Sequence, residues 1–298
     1  MKKTQKLLSV VSALILASSL LFVQDALCQP QKSFLWKIQS DANRVYVLGS
    51  LHFAKKEMYP LRQEIENAFD QSDFLVVEAN VSDIGRVDVQ KLMESAFYPG
   101  NDTLEKHVSP EAYEQVKKEM GGLGLPPELI SKQKPWFLAM TLEALESIKL
   151  GLDPKFGIDI HFLSKAEGKK KILELESLDY QISLLSGLSD REQELLLLYT
   201  LKDFDIMEQE LDKTIQAWTS GDVKTMESLM TKSVSQDRRF SFVLEKLIYE
   251  RNKKMASKIK NFLKAKETYF IIVGAGHLVG NEGIIELLKR DGYRVDQL

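Results

Sequence analysis

The sequence predicts an α/β fold: a central, mostly parallel sheet in two related halves, flanked by helices and interrupted by a helical insertion over about residues 85–235. Three observations predict it. Residues 44–77 run strand, helix, strand, and such a β–α–β unit implies parallel strands covered by the intervening helix. Residues 269–295 repeat that order. Between them lie long segments of 3.6-residue apolar periodicity, rich in Glu and Lys.

Taken in order, residues 33–38 and 44–48 form a hairpin around Asp41-Ala42-Asn43, with Val45, Tyr46 and Val47 strongly strand-forming. Residues 59–72 place Leu61, Ile65, Ala68 and Phe69 on one helical face. Phe74-Leu75-Val76-Val77 is a short unbroken apolar run, the pattern of a strand buried on both faces. Residues 110–120 begin a helix with Ser109 as N-cap and Pro110 at the first helical position, and Gly121-Gly122 ends it. A second helix covers 135–150 and stops at Gly151. A strand returns at 171–175, followed by long helices over 190–216 and 240–264. The chain closes with a strand at 269–273, a helix at 282–289 and a strand at 293–295. No Pro/Gly/Ser-rich linker divides it, so residues 29–298 read as one α/β domain.

Composition narrows the function classes. With 40 basic and 43 acidic residues, a formal charge of −3 excludes a strongly basic nucleic-acid binder. The single cysteine, Cys28, allows no internal disulfide, and no CxxC pair supports a structural zinc site. The first 28 residues read as a secretory signal peptide. Lys2, Lys3 and Lys6 precede an uncharged apolar run over residues 7–23, and Ala26-Leu27-Cys28 supplies a cleavage site before Gln29. An exported protein is expected, whether periplasmic, secreted or associated with the cell envelope. Cleavage leaves no stable membrane insertion; retention as an anchor or lipidation of Cys28 are the other fates of this segment. The mature chain then has a formal charge of −5 and no cysteine, so its stability rests on a packed core.

Four histidines, at 52, 107, 161 and 277, are the scarce reactive residues. Two of them share a pattern. Residues 45–52 (Val-Tyr-Val-Leu-Gly-Ser-Leu-His) and 270–277 (Phe-Ile-Ile-Val-Gly-Ala-Gly-His) both run apolar strand, Gly, two residues, His. Gly49 and Gly274 allow a sharp turn at a strand's carboxyl end, which sets His52 and His277 at the sheet edge where α/β proteins gather their sites. Glu78 directly follows the strand at 74–77 and belongs at the same edge; Glu176 repeats this placement after 171–175. An acid at the end of a buried strand must be paired, metal-bound or solvated. Two histidines and a carboxylate suit a divalent first-row ion, and equally suit a metal-free hydrolase in which His or Glu activates water. Asp159 and His161 face the same way on a strand and diverge on a helix. His107 lies in a solvated loop, and Arg251 on the polar face of a long helix reads as solvated. The chain has no HExxH, GxSxG or Walker A motif, and Gly274-Ala275-Gly276 lacks the third glycine of a dinucleotide fingerprint.

An ordered set of these segments resembles the TraB/GumN family, which includes the Tiki proteases. It comprises Gly49-Ser50-Leu51-His52, Val77-Glu78-Ala79, Pro135-Trp136, Gly157-Ile158-Asp159, Leu175-Glu176-Ser177 with Gln181, Glu250-Arg251-Asn252, and residues 274–280. The resemblance spans roughly residues 34–297 and implies a fold shared more distantly with erythromycin esterases and a haem-binding, ChaN-like group. It further implies that His52, Glu78 and His277 are metal ligands or catalytic groups, with Asp159, Glu176 and Arg251 as the supporting shell. The implied activity is a peptidase dependent on manganese or cobalt, with zinc also compatible. The expected function is therefore an exported metal-dependent hydrolase acting by metal-activated water on a peptide or small-molecule substrate. The alternatives are a metal-independent esterase-like hydrolase and a non-catalytic haem- or metal-binding module.

Overall fold

A hairpin opens the sheet: β1 (Leu35–Gln39) runs antiparallel to β2 (Arg44–Ser50), with Leu35 opposite Leu48 and Gln39 opposite Arg44. The structure, a computed structural model, describes residues 32–86 and 88–298, so the expected signal peptide lies outside the described residues. After β2 come α1 (Gln63–Asp70) and β3 (Phe74–Val77), then α2 (Val89–Ala96), α3 (Pro110–Gly122) and α4 (Pro135–Lys149). Next are α5 (Ile158–Ala166), β4 (Lys171–Glu174), α6 (Leu178–Ser186) and the long α7 (Asp190–Ser220). The chain continues through α8 (Val223–Met230), α9 (Lys232–Gln236), α10 (Ser241–Leu244) and α11 (Glu250–Phe262), and ends with β5 (Tyr269–Gly274), α12 (Ile284–Arg290) and β6 (Arg294–Gln297).

The six strands lie in the order β4-β3-β5-β2-β1-β6, and β4, β3, β5 and β2 are parallel. The predicted mixed α/β sheet, mostly parallel and flanked by helices, is thus present. The penultimate strand β5 inserts between β2 and β3, which brings the two Gly-x-x-His segments side by side. Their glycines are not opposite each other: Gly49 pairs with Val273, and Ser50 with Gly274. A one-residue offset turns side chains to opposite faces, so the two turns leave the edge differently.

Apolar side chains divide between two cores. One surrounds the sheet, with Phe34, Leu48, Leu75, Phe162, Phe270 and Ile272 fully buried. The other is helical, built on Leu104, Met120, Trp136, Leu138 and Leu197. Pro135-Trp136 belongs to the second core; Pro135 occupies the first turn of α4, and the Trp136 indole N–H donates to Ser95 O (3.0 Å). Ser109 caps α3 as expected, accepting from Ala112 N–H (3.2 Å).

The observed elements depart from the sequence reading in three places that bear on the site. The helix expected from residue 59 begins at Gln63, because Tyr59 precedes Pro60 and takes extended backbone. The Asp159 segment is helical, so Asp159 and His161 diverge. The helix expected over 240–264 is broken by a π-helical turn at Glu245–Tyr249, immediately before Arg251. Among the described residues no helix is long and apolar enough to cross a membrane.

Candidate active site at the carboxyl edge of the sheet

Strands β2, β3, β4 and β5 end together, and the residues that follow them converge. Beyond β3 the backbone ladder continues into the site: Leu175 N–H donates to Val77 O (2.8 Å) and Glu176 N–H to Glu78 O (2.6 Å). Both acids are buried, at 8% exposure each. Such carboxylates require counter-charge, and Arg251 supplies it. Its Nη2 donates to Glu78 Oε2 (2.8 Å) and Glu176 Oε2 (2.7 Å), and its Nε lies 3.1 Å from both Glu176 oxygens. Gln181 Nε2 adds a bond to Glu176 Oε2 (3.1 Å) and a longer one to Glu78 Oε2 (3.4 Å).

Arg251 is therefore not the solvated residue its helical position implied; its side chain is 12% exposed. The π-helical turn explains part of this. A widened turn leaves a carbonyl unused, and Arg251 Nη1 donates to Leu247 O within it (3.0 Å).

Glu78 Oε1 accepts the backbone N–H of Gly274 (2.5 Å) and lies 3.6 Å from His277 Nε2. Burial pushes the Glu78 carboxyl up, but His277, Arg251, His52 and the Gly274 N–H outweigh it and bring it to about 2. His277 goes the other way. Burial drives its pKa down to about 4 despite the attraction of Glu78. The imidazole is then neutral at pH 7, and Arg251 with Gly274 sustains the charge on Glu78. His277 Nδ1 sits 2.6 Å from Asn252 Oδ1, and Asn252 Nδ2 donates to Glu282 O (2.8 Å). That second bond fixes the amide with its oxygen toward His277, so Nδ1 carries the proton and Nε2 presents a lone pair to Glu78.

His52 occupies a different environment. Its side chain is 66% exposed, although neighbouring groups crowd it. Nδ1 lies 3.0 Å from Asp159 Oδ2, whose other oxygen accepts Ser50 Oγ–H (3.0 Å). Crowding favours neutral His52, but Asp159, aided by Glu78 and Glu143, raises its pKa to about 9. Asp159 reaches it because Gly157 lets α5 begin against the His52 backbone. A Cβ at 157 would collide with the His52 carbonyl, and Ile158 N–H donates to Leu51 O (3.0 Å). Gly49 is required by space too, since a Cβ there would come 2.5 Å from the Phe34 ring; its carbonyl accepts the Trp218 indole N–H (2.7 Å). A Cβ at Gly274 would stand 3.4 Å from Glu78 Oε1, a tight but lesser conflict.

The other two histidines lie outside this constellation. His161 turns to Glu66 (3.3 Å) and packs on Tyr59, while His107 pairs with Asp102 (2.6 Å) and stacks on Tyr98. Asn252 was missed as a site residue, although its adjacency to Arg251 was one available signal. It is fully buried in line with Met255, Ala256 and Ile259, the i, i+3, i+4, i+7 spacing of the buried face of α11, so periodicity was a second signal.

Among the described residues, no group of three His, Cys, Asp or Glu side chains is assembled closely enough to hold an ion. The donor chemistry nevertheless fits a divalent metal. Each histidine has Nδ1 held by an oxygen acceptor, which leaves Nε2 as the ligating atom, the arrangement typical of metal-bound imidazoles. Glu78 is a permanently ionised carboxylate beside one of them. Two buried acids against one guanidinium leave an excess negative charge, which favours a cation. Protonated His52 has to release its proton to ligate.

Comparisons with known proteins place the chain among its relatives. The model of the TraB/PrgY/gumN family matches residues 34–297, which takes in every site residue described above. YbaP of Escherichia coli (strain K12) is 27% identical over 245 residues, 82% of this chain and 87% of that protein. The metalloprotease TIKI1 of Danio rerio is 22% identical over 312 residues, 89% of this chain and 63% of its own length. A metalloprotease TIKI homolog of Amphimedon queenslandica is 24% identical, over 90% of this chain and 62% of its own. No solved structure matches the chain significantly. With nearly all of its described sheet and site inside the family match, the chain belongs to the TraB/PrgY/gumN family.

Proposed function

We propose that this chain is an exported, metal-dependent peptidase. One observation carries the reading: the lone pair of His277 Nε2 faces the ionised Glu78 carboxylate at 3.6 Å with no donor hydrogen between them. Two such acceptors placed face to face repel unless a cation or water lies between them. Relatives named as metalloproteases support the activity, and the apolar, basic-flanked start of the sequence supports export.

His52, Glu78 and His277 would hold the ion, with manganese, cobalt or zinc compatible with the donors. When bound, such an ion polarises a scissile carbonyl and lowers the pKa of water. The remaining residues have roles of their own. Arg251 and the Gly274 N–H keep Glu78 ionised; Asn252 sets the tautomer of His277; Asp159, steadied by Ser50, orients His52. The 66% exposure of His52 gives a substrate access to the edge.

The metal-independent alternative has less support. A carboxyl near 2 and an imidazole near 9 are poor bases at neutral pH, one because it does not hold a proton and the other because it does not release one. Digestion of a peptide library by the purified mature protein, with and without chelator and with added Mn²⁺, Co²⁺ or Zn²⁺, tests the proposal. Cleavage that is lost on chelation, restored by one ion and abolished in His52→Ala and His277→Ala is expected. Cleavage that survives complete chelation selects the metal-free mechanism, and a Soret band on haem titration without cleavage selects the binding module.

A further inference from the structure

Residues 251–266 hold seven basic side chains and no acidic one, in a chain whose acids outnumber its bases. Arg251 belongs to the site; the other six are Lys253, Lys254, Lys258, Lys260, Lys264 and Lys266. Most of this run is α11, an amphipathic helix whose inner face, Asn252, Met255, Ala256 and Ile259, is buried. Its outer face is basic. Lys253 and Lys260 lie seven residues apart on one flank and Lys254 and Lys258 one turn apart on the other, with Ser257 and Asn261 between them. Lys264 and Lys266 follow directly after the helix, and all six except the half-buried Lys260 are exposed.

The fold does not neutralise this face. Among the described residues only Lys260 meets an acid, Asp291 just past α12 (2.8 Å). Lys254 donates to Tyr180 Oη (2.9 Å) and lies over that ring, and Lys258 donates to the backbone oxygen of Leu175, so both remain uncompensated. Lys253, Lys264 and Lys266 have no hydrogen bond or ion pair among the described residues. The acids flanking the run are Glu250 at the start of α11 and Glu267 after its end. Lys254 with Lys258, and Lys260 with Lys264, are like-charge pairs four residues apart, a spacing that destabilises a helix unless counter-charge comes from outside.

We infer that the outer face of α11 docks on an anionic phospholipid surface. The face fits a plane of phosphates. Its 13-residue helix extends about 20 Å, and flexible ammonium side chains reach a headgroup layer without fixed geometry. Clustered lysines on an amphipathic helix are a recurrent match for anionic headgroups. A single-stranded nucleic acid fits less well, because base stacking needs free aromatic rings. Phe262 stacks instead on Tyr269 (4.5 Å between centroids), and Lys254 covers Tyr180. The apolar face of α11 is already buried in the protein, so attachment is by charge alone and is released by salt. The inference needs the export reading, which brings this face to a membrane, and does not need the peptidase reading. Arg251 lies in the first turn of α11, so a helix lying flat holds the site beside the lipid surface.

Vesicle binding by the chain from Gln29 onward, which lacks the apolar run and so reports this face alone, tests it. Wild type, Lys253→Gln/Lys264→Gln and Lys253→Arg/Lys264→Arg are sedimented with mixed phosphatidylcholine–phosphatidylglycerol vesicles and with pure phosphatidylcholine vesicles. A control, Lys118→Gln/Lys202→Gln, removes the same charge from exposed lysines of α3 and α7. A DNA duplex is titrated in parallel. Wild type should bind the mixed vesicles only and be released at about 0.5 M salt. The α11 glutamine variant should bind about 25-fold more weakly, about fivefold for each lysine lost from the surface, with the control within about twofold of wild type. The arginine variant should bind like wild type, and all melting temperatures should agree. Absent phosphatidylglycerol-dependent binding, equal binding to both vesicles, or a control as weak as the α11 glutamine variant each overturns the inference. A duplex bound more tightly than the vesicles overturns it too, by giving the face to a nucleic acid. None of these readouts requires peptide cleavage, so this inference and the peptidase reading fail separately.

Discussion

Arg251 holds two buried carboxylates, so removing its charge should cost far more than removing its volume. Arg251→Met leaves Glu78 and Glu176 facing each other without a cation, and stability should fall by about 3–5 kcal/mol, the cost of breaking a buried pair on one side. Urea denaturation reads this, and a loss below about 1 kcal/mol would show that solvent already screens the cluster. The histidines give a pH dependence of definite sign in chelator-treated protein. His277 is held down to about 4, so between pH 6.5 and 4 the unfolded chain takes up a proton that the folded one refuses, and stability falls. Glu78, held at about 2, extends this loss as the pH drops from 4.5 toward 2. His52, raised to about 9, contributes fully below pH 6.5 and loses its contribution as the pH climbs through 9. Stability should therefore peak near pH 6.5; His277→Gln should flatten the limb between 6.5 and 4, and His52→Gln the alkaline limb. These positions of His52, Glu78 and His277 were legible because each follows a short apolar strand, and strand ends define an edge. The role of Arg251 was not legible from helical period, which sorts polar from apolar faces but does not show that a polar face can be buried against another polar cluster; Asn252 shares the spacing of Met255, Ala256 and Ile259, so its burial was legible and only its partner was not.

At the scale of elements, the site depends on how closely α5 approaches β2. Gly157 gives α5 an N-terminus without a Cβ, and the first turn then delivers Asp159 to both Ser50 and His52. Gly157→Ala should force the two segments apart, at a cost of about 1–3 kcal/mol for overpacking. Its particular signature is the His52 pKa measured by NMR, which should fall from about 9 toward 6.5 as Asp159 withdraws. An unchanged His52 titration beside a lowered melting temperature would confine Gly157 to packing. The sequence left the Asp159 segment open between strand and helix, because a short apolar run with polar interruptions fits both periods. Tertiary contact decides it: as a helix it covers the sheet with Ile158, Phe162 and Leu163, all buried, and sends His161 away toward Glu66. The π-helical turn before Arg251 was equally hidden, since its residues carry ordinary helix-forming side chains and only the bond to Leu247 O shows what the extra width accomplishes.

For the molecule as a whole, the question is whether a sheet core and a helical core behave as one cooperative unit. α7 bears on this directly. Its first half contributes Leu196, Leu197, Leu201 and Phe204 to the helical core, and its last turns contribute Ala217 and Trp218 to the core around the sheet. At 31 residues it spans about 46 Å, and its rigidity transmits the loss of one core to the other. Trp136 reports on the helical core, whereas Trp36 and Trp218 report on the sheet core. In Trp136→Phe, indole fluorescence therefore follows the sheet core alone, while far-ultraviolet ellipticity follows the helices. The two urea midpoints should coincide. Inserting Gly-Gly after Gln209, between the two sets of core contacts, adds about 1 kcal/mol per glycine of helix cost and should also break the coupling. The ellipticity midpoint should then separate from the fluorescence midpoint, with the helical core melting first because it has no sheet. Separated midpoints in Trp136→Phe itself would mean that α7 does not couple the cores.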